Sequence, residues 1–168
     1  MHAGYNLWLP VASAGYKAQV FANYYSQPLI ADFIGSSGKT QVAKLDTDAS
    51  AHPNLAAYAA YEDDSPRRVV IANLDYWNRT SSGVRRPVIP VAIPIEGDQD
   101  SVQVYRLRSP EGAGADASSI TYGGSQWTYE SAGREVKGVR EEDREVVQVK
   151  DGAAVVNVPA SEAVLIWL

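Results

Sequence analysis

The side chains that most often carry catalysis are scarce or badly spaced in this sequence. Its two histidines are His2 and His52, and it has no cysteine. Neither histidine stands near a recognisable nucleophile motif, so a serine–histidine mechanism has no support. A zinc site would have to be built mainly from carboxylates, which is unusual. The segment Gly123-Gly124-Ser125 has too few glycines for a phosphate loop. The sequence therefore predicts no metal site and no cofactor.

Carboxylate pairs are the remaining source of acid–base chemistry. Glycosidases use two carboxylates about 5–10 Å apart, and this chain has 20 acidic residues. Two clusters stand out, Glu62-Asp63-Asp64 in a turn and Glu141-Glu142-Asp143 in a charged segment. An exposed carboxylate has no apolar pocket to raise its pKa, so it makes a poor general acid. We therefore predict that neither cluster is catalytic.

Aromatic side chains near the ends of predicted strands are candidates for sugar contacts. A flat ring can cover the C–H face of a pyranose at low entropic cost. Tyr76 and Trp77 follow one predicted strand, and Trp127 and Tyr129 follow another. The competing interpretation, which we favour, is that these rings pack in the core or against a neighbouring domain.

Composition limits the partners and the compartment. The net charge of −5 and the pI near 5.0 argue against a nucleic-acid partner. No apolar run reaches the ~18 residues of a membrane span. The N-terminus lacks a basic region followed by an apolar stretch, so we expect no secretion signal in it. Asn78-Arg79-Thr80 is a glycosylation sequon, which matters only if the protein enters a secretory pathway.

Residues 54–75 predict a β-hairpin around which the fold is arranged. Two apolar runs flank residues 62–66, a turn-forming cluster that suggests a loop of four or five residues. The second run, residues 69–74, is apolar on both faces, which predicts a central strand covered on both sides.

Beyond Gly38 the sequence predicts strands separated by turn-rich segments, at the spacing of a sandwich. The predicted strands are 40–46, 55–62, 67–75, 88–95, 101–108, 120–122, 145–150, 153–159 and 163–168. Prolines in 88–95 indicate an edge strand. Residues 134–144 are highly charged, so we expect them to form a solvated loop. The fold class is mainly β, an antiparallel β-sandwich of about eight strands with one N-terminal strand–helix unit.

The first 38 residues differ in character from the rest. Residues 5–9 alternate as a short strand and stop at Pro10. Residues 17–34 repeat with a helical period, and Gly35 supplies a stop. Pro28 should kink or restart that helix. The apolar residues of the predicted helical stripe are Val20, Phe21, Tyr24, Leu29, Phe33 and Ile34.

The order of these segments resembles the C-terminal end of glycoside hydrolase family 79, the group that contains β-glucuronidases and heparanases. The resemblance rests on six short segments that together span nearly the whole chain. They are YNLW at 5–8, NYYSQPLIADFIG at 23–35, LAAYAAY at 55–61, VVIANL at 69–74, VYRL at 104–107 and AVLIW at 163–167.

In that family a (β/α)8 barrel carries catalysis and a β-sandwich packs beside it. The resemblance implies that residues 1–38 are a remnant of the barrel, with 5–9 its last strand and 17–34 its last helix. Residues 39–168 would be the C-terminal sandwich. The family's catalytic glutamates lie upstream of anything present here, so no catalytic residue is expected in this chain. Tyr5 and Trp8 would lie where a barrel subsite forms.

These implications lead to three hypotheses. The first is a non-catalytic accessory domain whose partner is the catalytic barrel of a β-glucuronidase-like parent. The second is a stand-alone carbohydrate-binding module that uses Trp77 or Trp127 as its platform. The third is self-association through the helical stripe, because an apolar face that has lost its barrel tends to find a partner. The parent family is often secreted or extracellular, and the localisation of this chain is left open.

Overall fold

The computed structural model describes residues 6–12 and 15–168. Within them, nine strands form one antiparallel sheet. These strands are β3 (Gln41–Leu45), β4 (Leu55–Glu62), β5 (Ser65–Asn73), β6 (Val88–Pro94), β7 (Ser101–Arg108), β8 (Thr121–Tyr122), β11 (Arg144–Lys150), β12 (Ala153–Pro159) and β13 (Glu162–Trp167). Eight follow one another in the order β3-β4-β5-β13-β7-β11-β12-β6, and β8 pairs with β7.

Four short strands form two further ladders. β1 (Trp8–Leu9) pairs with β2 (Gln19–Val20), and β9 (Gln126–Trp127) pairs with β10 (Glu135–Val136), both antiparallel. One α-helix of the described part, α1 (Ser26–Ile34), follows a 3-10 turn at Ala22–Tyr25.

The large sheet curls so that apolar faces from its two ends meet. Leu55, Val69 and Ile71 of the β4–β5 end share one core with Ile89 and Val156 of the β6–β12 end. Burial of these branched side chains is the main term that holds the curl closed. The predicted class, a mainly β antiparallel sandwich, is confirmed.

The central hairpin is confirmed, with a tighter turn than expected. Glu62 pairs with Ser65, so the loop has only two residues, Asp63 and Asp64, with φ of 50° and 59°. Aspartate tolerates this left-handed conformation, which the primed turns of two-residue hairpins require. As predicted, β5 is central, because it pairs with β4 on one side and β13 on the other.

The edge position of β6 is also confirmed, since β12 is its one partner in the sheet. Ile95 N–H donates to Gly152 O at 2.9 Å, so odd-numbered residues of this segment direct their backbone groups toward β12. Pro90 and Pro94 therefore face the open edge. They remove donors from that edge without costing a bond to β12.

The N-terminal strand–helix prediction is partly wrong. The strand is only Trp8–Leu9, and Tyr5 lies outside the described residues. Gln19–Val20, predicted to be helical, is β2. The restart at Pro28 is confirmed, because Pro28 is the third residue of α1. A residue there needs no intrahelical N–H bond.

Helix α1 packs against the sheet. Leu29 and Phe33, with Tyr25 before the helix, are buried in a second core that includes Ile120 and Leu165. The sheet thus covers much of the apolar helical stripe, which the third hypothesis had expected to be exposed and to seek a partner. The loop 134–144 differs from its prediction too, because Asp143 is fully buried and paired with Arg108.

Candidate functional site

An aromatic cleft opens between the β1–β2 hairpin and the loop at residues 128–133. Its volume is about 740 Å³. The rings of Trp8, Tyr24 and Tyr129 line it, and Leu9 and Val20 also contribute to the lining. Trp8 is 53% exposed and Tyr129 is 49% exposed. We call this feature the aromatic cleft.

Neighbouring rings hold the cleft walls in place. Tyr24 meets Trp8 at a centroid distance of 6.3 Å with a 71° interplanar angle, and its ring also lies 6.3 Å from that of Trp127. Behind them, Tyr25 packs edge-on against Trp127 at 5.8 Å. Burial raises the pKa of the Tyr25 hydroxyl, so this group stays protonated. Edge-to-face contacts of this kind fix ring orientation.

Two reciprocal hydrogen bonds hold the loop that carries Tyr129. Ser131 N–H donates to Thr128 Oγ1 at 3.1 Å, and Thr128 N–H donates to Ser131 Oγ at 3.2 Å. Tyr129 therefore lies in a turn that is closed by hydrogen bonds between Thr128 and Ser131.

The side chains that line the aromatic cleft are suited to apolar and stacking contacts rather than to acid–base catalysis. Glu130 is the one ionisable carboxylate among the described residues that line it, and no lysine, arginine or histidine joins it there. A retaining glycosidase needs two carboxylates. Across residues 6–12 and 15–168, no cluster of three or more acidic or histidine side chains is placed to hold a metal ion. In that same part of the chain, none of the helices has the length and apolar character to cross a bilayer.

Trp77 is partly buried, and neighbouring groups fix the position of its ring. The guanidinium of Arg86 lies 4.9 Å from its ring centroid, and its Nε1 donates to Val84 O at 3.0 Å. Gly112 lies so close that an added Cβ would be 2.7 Å from the Trp77 Cε3 atom. Tyr76, by contrast, is 71% exposed and lies outside the cleft.

The structure thus brings together only part of the predicted set. Trp8 and Tyr129 share the aromatic cleft, and Trp127 supports it from behind. Tyr24 was missed as a cleft residue, because its spacing assigned it to a helical stripe. The position of Pro28 could have shown that Tyr24 is not in the helix. Proline favours the first turn of a helix, so the helix should begin after Tyr24.

The sequon asparagine is partly covered. Asn78 Oδ1 accepts bonds from Thr80 N–H at 3.0 Å and from Thr80 Oγ1 at 2.8 Å. Its Nδ2 faces Gly114, whose lack of a side chain permits the close approach. A glycan on Nδ2 would have to displace that loop, and modification of Asn78 stays a prediction.

Comparison with known proteins identifies relatives. A family model described as the glycosyl hydrolase family 79 C-terminal beta domain matches residues 57–165. A β-glucuronidase from Aspergillus niger (strain ATCC MYA-4892 / CBS 513.88 / FGSC A1513) is 28% identical over 184 residues, which cover 100% of this chain and 33% of that protein. The chain therefore spans about a third of the length of this relative.

A solved structure supports the fold. It is a 4-O-alpha-L-rhamnosyl-beta-D-glucuronidase from Fusarium oxysporum 12S in complex with Rha-GlcA. It superposes with a TM-score of 0.69 at 24% identity, over 86% of this chain and 29% of that one.

Proposed function

This chain belongs to the family of glycosyl hydrolase family 79 C-terminal beta domains, and from that we propose its role. We propose that it is a non-catalytic accessory domain of a β-glucuronidase-like glycosidase. The observation that carries the proposal is the extent of the match. The family model covers most of the sheet, whereas the whole chain corresponds to only 33% of the A. niger relative. The catalytic carboxylates would then lie in the remainder of such a protein.

The aromatic cleft is the surface that we assign to the catalytic partner. Trp8 and Tyr129 are each about half exposed and line the cleft together, and Val11 and Tyr16, also exposed, lie on the same N-terminal segment as Trp8. Contiguous exposed apolar surface of this kind marks interaction sites, and aromatic residues are enriched at the centres of interfaces. A catalytic domain packed here would cover these rings.

An activity assay tests the non-catalytic role. The purified chain is incubated with an aryl β-glucuronide, and we expect no turnover. Measurable hydrolysis that disappears when a carboxylate of this chain is replaced would refute the proposal.

A binding assay tests the docking surface. The A. niger β-glucuronidase without its matching C-terminal third is produced separately and mixed with this chain. We expect the two to co-elute in size-exclusion chromatography, and the double variant Trp8→Ala, Tyr129→Ala to lose that association. Tyr76→Ala is the matched control, because Tyr76 is an exposed ring outside the cleft. Equal association of both variants would exclude the cleft as the interface.

A carbohydrate-binding module is the second candidate. The observation in its favour is that three rings line one open cleft, in which a sugar could stack on Trp8 or Tyr129. The packing of Trp77 makes that residue a poor platform. Titration with neutral and acidic oligosaccharides, followed by tryptophan fluorescence, separates the candidates, since an accessory domain without sugar contacts gives no saturable change.

Self-association through the helix has less to support it. Leu29 and Phe33 are buried against the sheet, and Ile30 and Ile34 are the large apolar side chains of α1 that stay exposed. We therefore expect a monomer in analytical ultracentrifugation.

A further inference from the structure

The curled sheet does not close on itself, and an apolar slot lies between its two end strands. β3 and β6 stand at the ends of the eight-strand order, so each has one side without a partner in the sheet. The slot has a volume of about 420 Å³, with Leu45 and Leu55 on the β3–β4 side and Ile89, Val91 and Ile93 on the β6 side. We call it the edge slot. It shares no lining residue with the aromatic cleft.

The side of β3 that faces the core is uncovered. Ala43 stands opposite Ala59 in the β3–β4 register, so both side chains point to the same face of the sheet. Ala59 belongs to the first core and is only 2% exposed, whereas Ala43 is exposed. Core packing therefore stops one strand short of the sheet edge.

β3 also has backbone groups that point away from β4. Leu74 N–H donates to Asn54 O at 2.8 Å, which sets the alternation of ladder bonds along β4. Even-numbered residues of β4 bond to β5, so its odd-numbered residues bond to β3, and these pair with odd-numbered residues of β3. The backbone groups of Val42 and Lys44 therefore point to the open side.

The two edges of the slot differ in how they are protected against pairing. Pro90 and Pro94 take two donors from the open side of β6, whereas β3 contains no proline and one charged residue, Lys44. Proline and charge are devices by which natural sheets keep an edge from pairing. β3 is therefore the edge that remains able to accept a strand.

We propose that the edge slot receives one extended strand from the part of a parent glycosidase that this chain lacks. The inference rests on the proposed accessory role, in which the chain corresponds to 33% of the A. niger relative. The strand pairs with the backbone groups of Val42 and Lys44 and turns alternate apolar side chains into the slot. Asp46 and Asp48 line the slot, and no lysine or arginine of the described chain joins them there. A basic residue at that end of the strand would meet opposite charge.

A second copy of this chain is a poorer occupant. Pairing of β3 with β3 of another copy would bring that copy's β4 along as the next strand. Neighbouring strands lie about 4.8 Å apart, and β6 already stands on the far side of the slot. A slot bounded on both sides by its own sheet takes a single strand rather than the edge of a second sheet.

The test uses overlapping synthetic peptides of about 12 residues, roughly two strand lengths. They span the part of the A. niger β-glucuronidase that does not match this chain. Each peptide is titrated into the isotope-labelled chain and followed by NMR. We expect one stretch with alternating apolar residues to bind saturably and to slow hydrogen exchange of the Val42 and Lys44 amides at least about tenfold. The amides of Ala43 and Leu45, which face β4, should change less.

Two variants of β3 locate the contact. Val42→Pro removes an outward N–H and leaves the bonds to β4 in place, so it should weaken the peptide at least about fivefold. Val42→Thr keeps that N–H and is the matched control. Ala43→Lys puts a charge on the core side of β3 and should abolish binding. Val155→Lys adds the same charge at an exposed position outside the slot and should not.

Several results would overturn the proposal. They are the absence of any saturable peptide, unchanged exchange at Val42 and Lys44 in the complex, or equal effects of a variant and its control. Protection of Val42 that rises with the concentration of the chain alone would identify a second copy as the occupant instead. Ala43→Lys decides the matter if Val42→Pro does not fold, because Ala43 is exposed.

Failure here is distinguishable from failure of the accessory role. Turnover of the aryl β-glucuronide would refute the non-catalytic role whatever the peptides do. Peptides that do not bind would remove the strand from the edge slot and leave the docking assay at the aromatic cleft unaffected.

Discussion

The hydroxyl of Tyr122 on β8 donates to the carboxylate of Asp32 on α1 at 2.8 Å. This bond crosses the boundary between the N-terminal helix and the sheet, and Tyr122 itself is buried. Leu29 and Phe33 pack beside it, against Ile120 and Leu165. Helix α1 is therefore joined to the sheet by both a charged hydrogen bond and an apolar core.

Replacing Tyr122 by phenylalanine should lower the free energy of unfolding by about 1.5–3 kcal/mol, because a hydrogen bond to a carboxylate is lost. The ring and its packing are kept. Urea unfolding followed by circular dichroism measures the change. Tyr129→Phe is the control, since the Tyr129 ring is half exposed in the aromatic cleft. Equal stability of the two variants would show that the bond to Asp32 contributes nothing.

Removal of residues 1–38 should destabilise the remaining sheet severely. The shortened chain would expose the apolar surface around Ile120 and Leu165 that α1 covers. The domain boundary after residue 38 itself stays a prediction. Loss of that burial costs roughly 1.5–3 kcal/mol for each large side chain. We expect residues 39–168 alone to bind a hydrophobic dye and to unfold without a sharp transition. A cooperative transition at the midpoint of the full chain would instead support an independent sandwich.

Much of the sheet could be predicted because its signals are local. The apolar run at 69–74 indicated a central strand, and the prolines of 88–95 indicated an edge. The failure at Gln19–Val20 comes from strand pairing that the helical spacing does not show. Val20 and Tyr24 have helical spacing, but Val20 pairs with Trp8, and Phe21 N–H donates to Leu7 O at 3.0 Å. Pairing with the preceding strand overrides the helical spacing of the apolar residues.

The candidate sites were harder to predict for the same reason. The ring types were recognisable, but whether a ring is exposed depends on partners elsewhere in the chain. Arg86 covers part of Trp77, whereas Trp8 and Tyr129 both line an open cleft. The small cleft between α1 and the sheet was missed entirely, because Asp32 and Arg144 line it together only when α1 docks on the sheet.

Glu62 should make the attachment of α1 sensitive to acid. Arg68 donates to Glu62 Oε1 and, at 3.4 Å, to Ile34 O at the end of the helix. The hydrogen bond from Arg68 holds the pKa of Glu62 below its ordinary value of 4.5. Because the folded-state pKa is the lower one, this contribution to stability is present above pH 4.5 and is lost as the pH falls through the folded value.

Thermal unfolding of the wild type and of Glu62→Gln between about pH 6 and about pH 3 tests this expectation. The wild type should have the higher midpoint at the upper end, and the difference should shrink as the pH falls below 4.5. Glu96→Gln is the control, because Glu96 lies in an exposed loop and forms no ion pair within the described residues. A difference that stays constant over the whole range would contradict the role of the Glu62 charge.

Gly112→Ala should destabilise the chain far more than Gly133→Ala. Both glycines have positive φ, 69° and 72°, so a side chain at either costs roughly 1–2 kcal/mol of backbone strain. At Gly112 the new Cβ would also meet the backbone and ring of Trp77, whose carbonyl oxygen accepts from Ala113 N–H at 2.8 Å. At Gly133 it would meet nothing within 4 Å.

The clash adds about 1–3 kcal/mol, because overpacking forces buried groups to shift. Urea unfolding of the two variants under identical conditions gives the difference, in which the shared strain cancels. If both lose the same stability, the loop that carries Gly112 yields freely and does not hold Trp77 in place. If Gly112→Ala loses more, the packing of Trp77 between Arg86 and this loop is rigid, and its ring is not free to serve as a sugar platform.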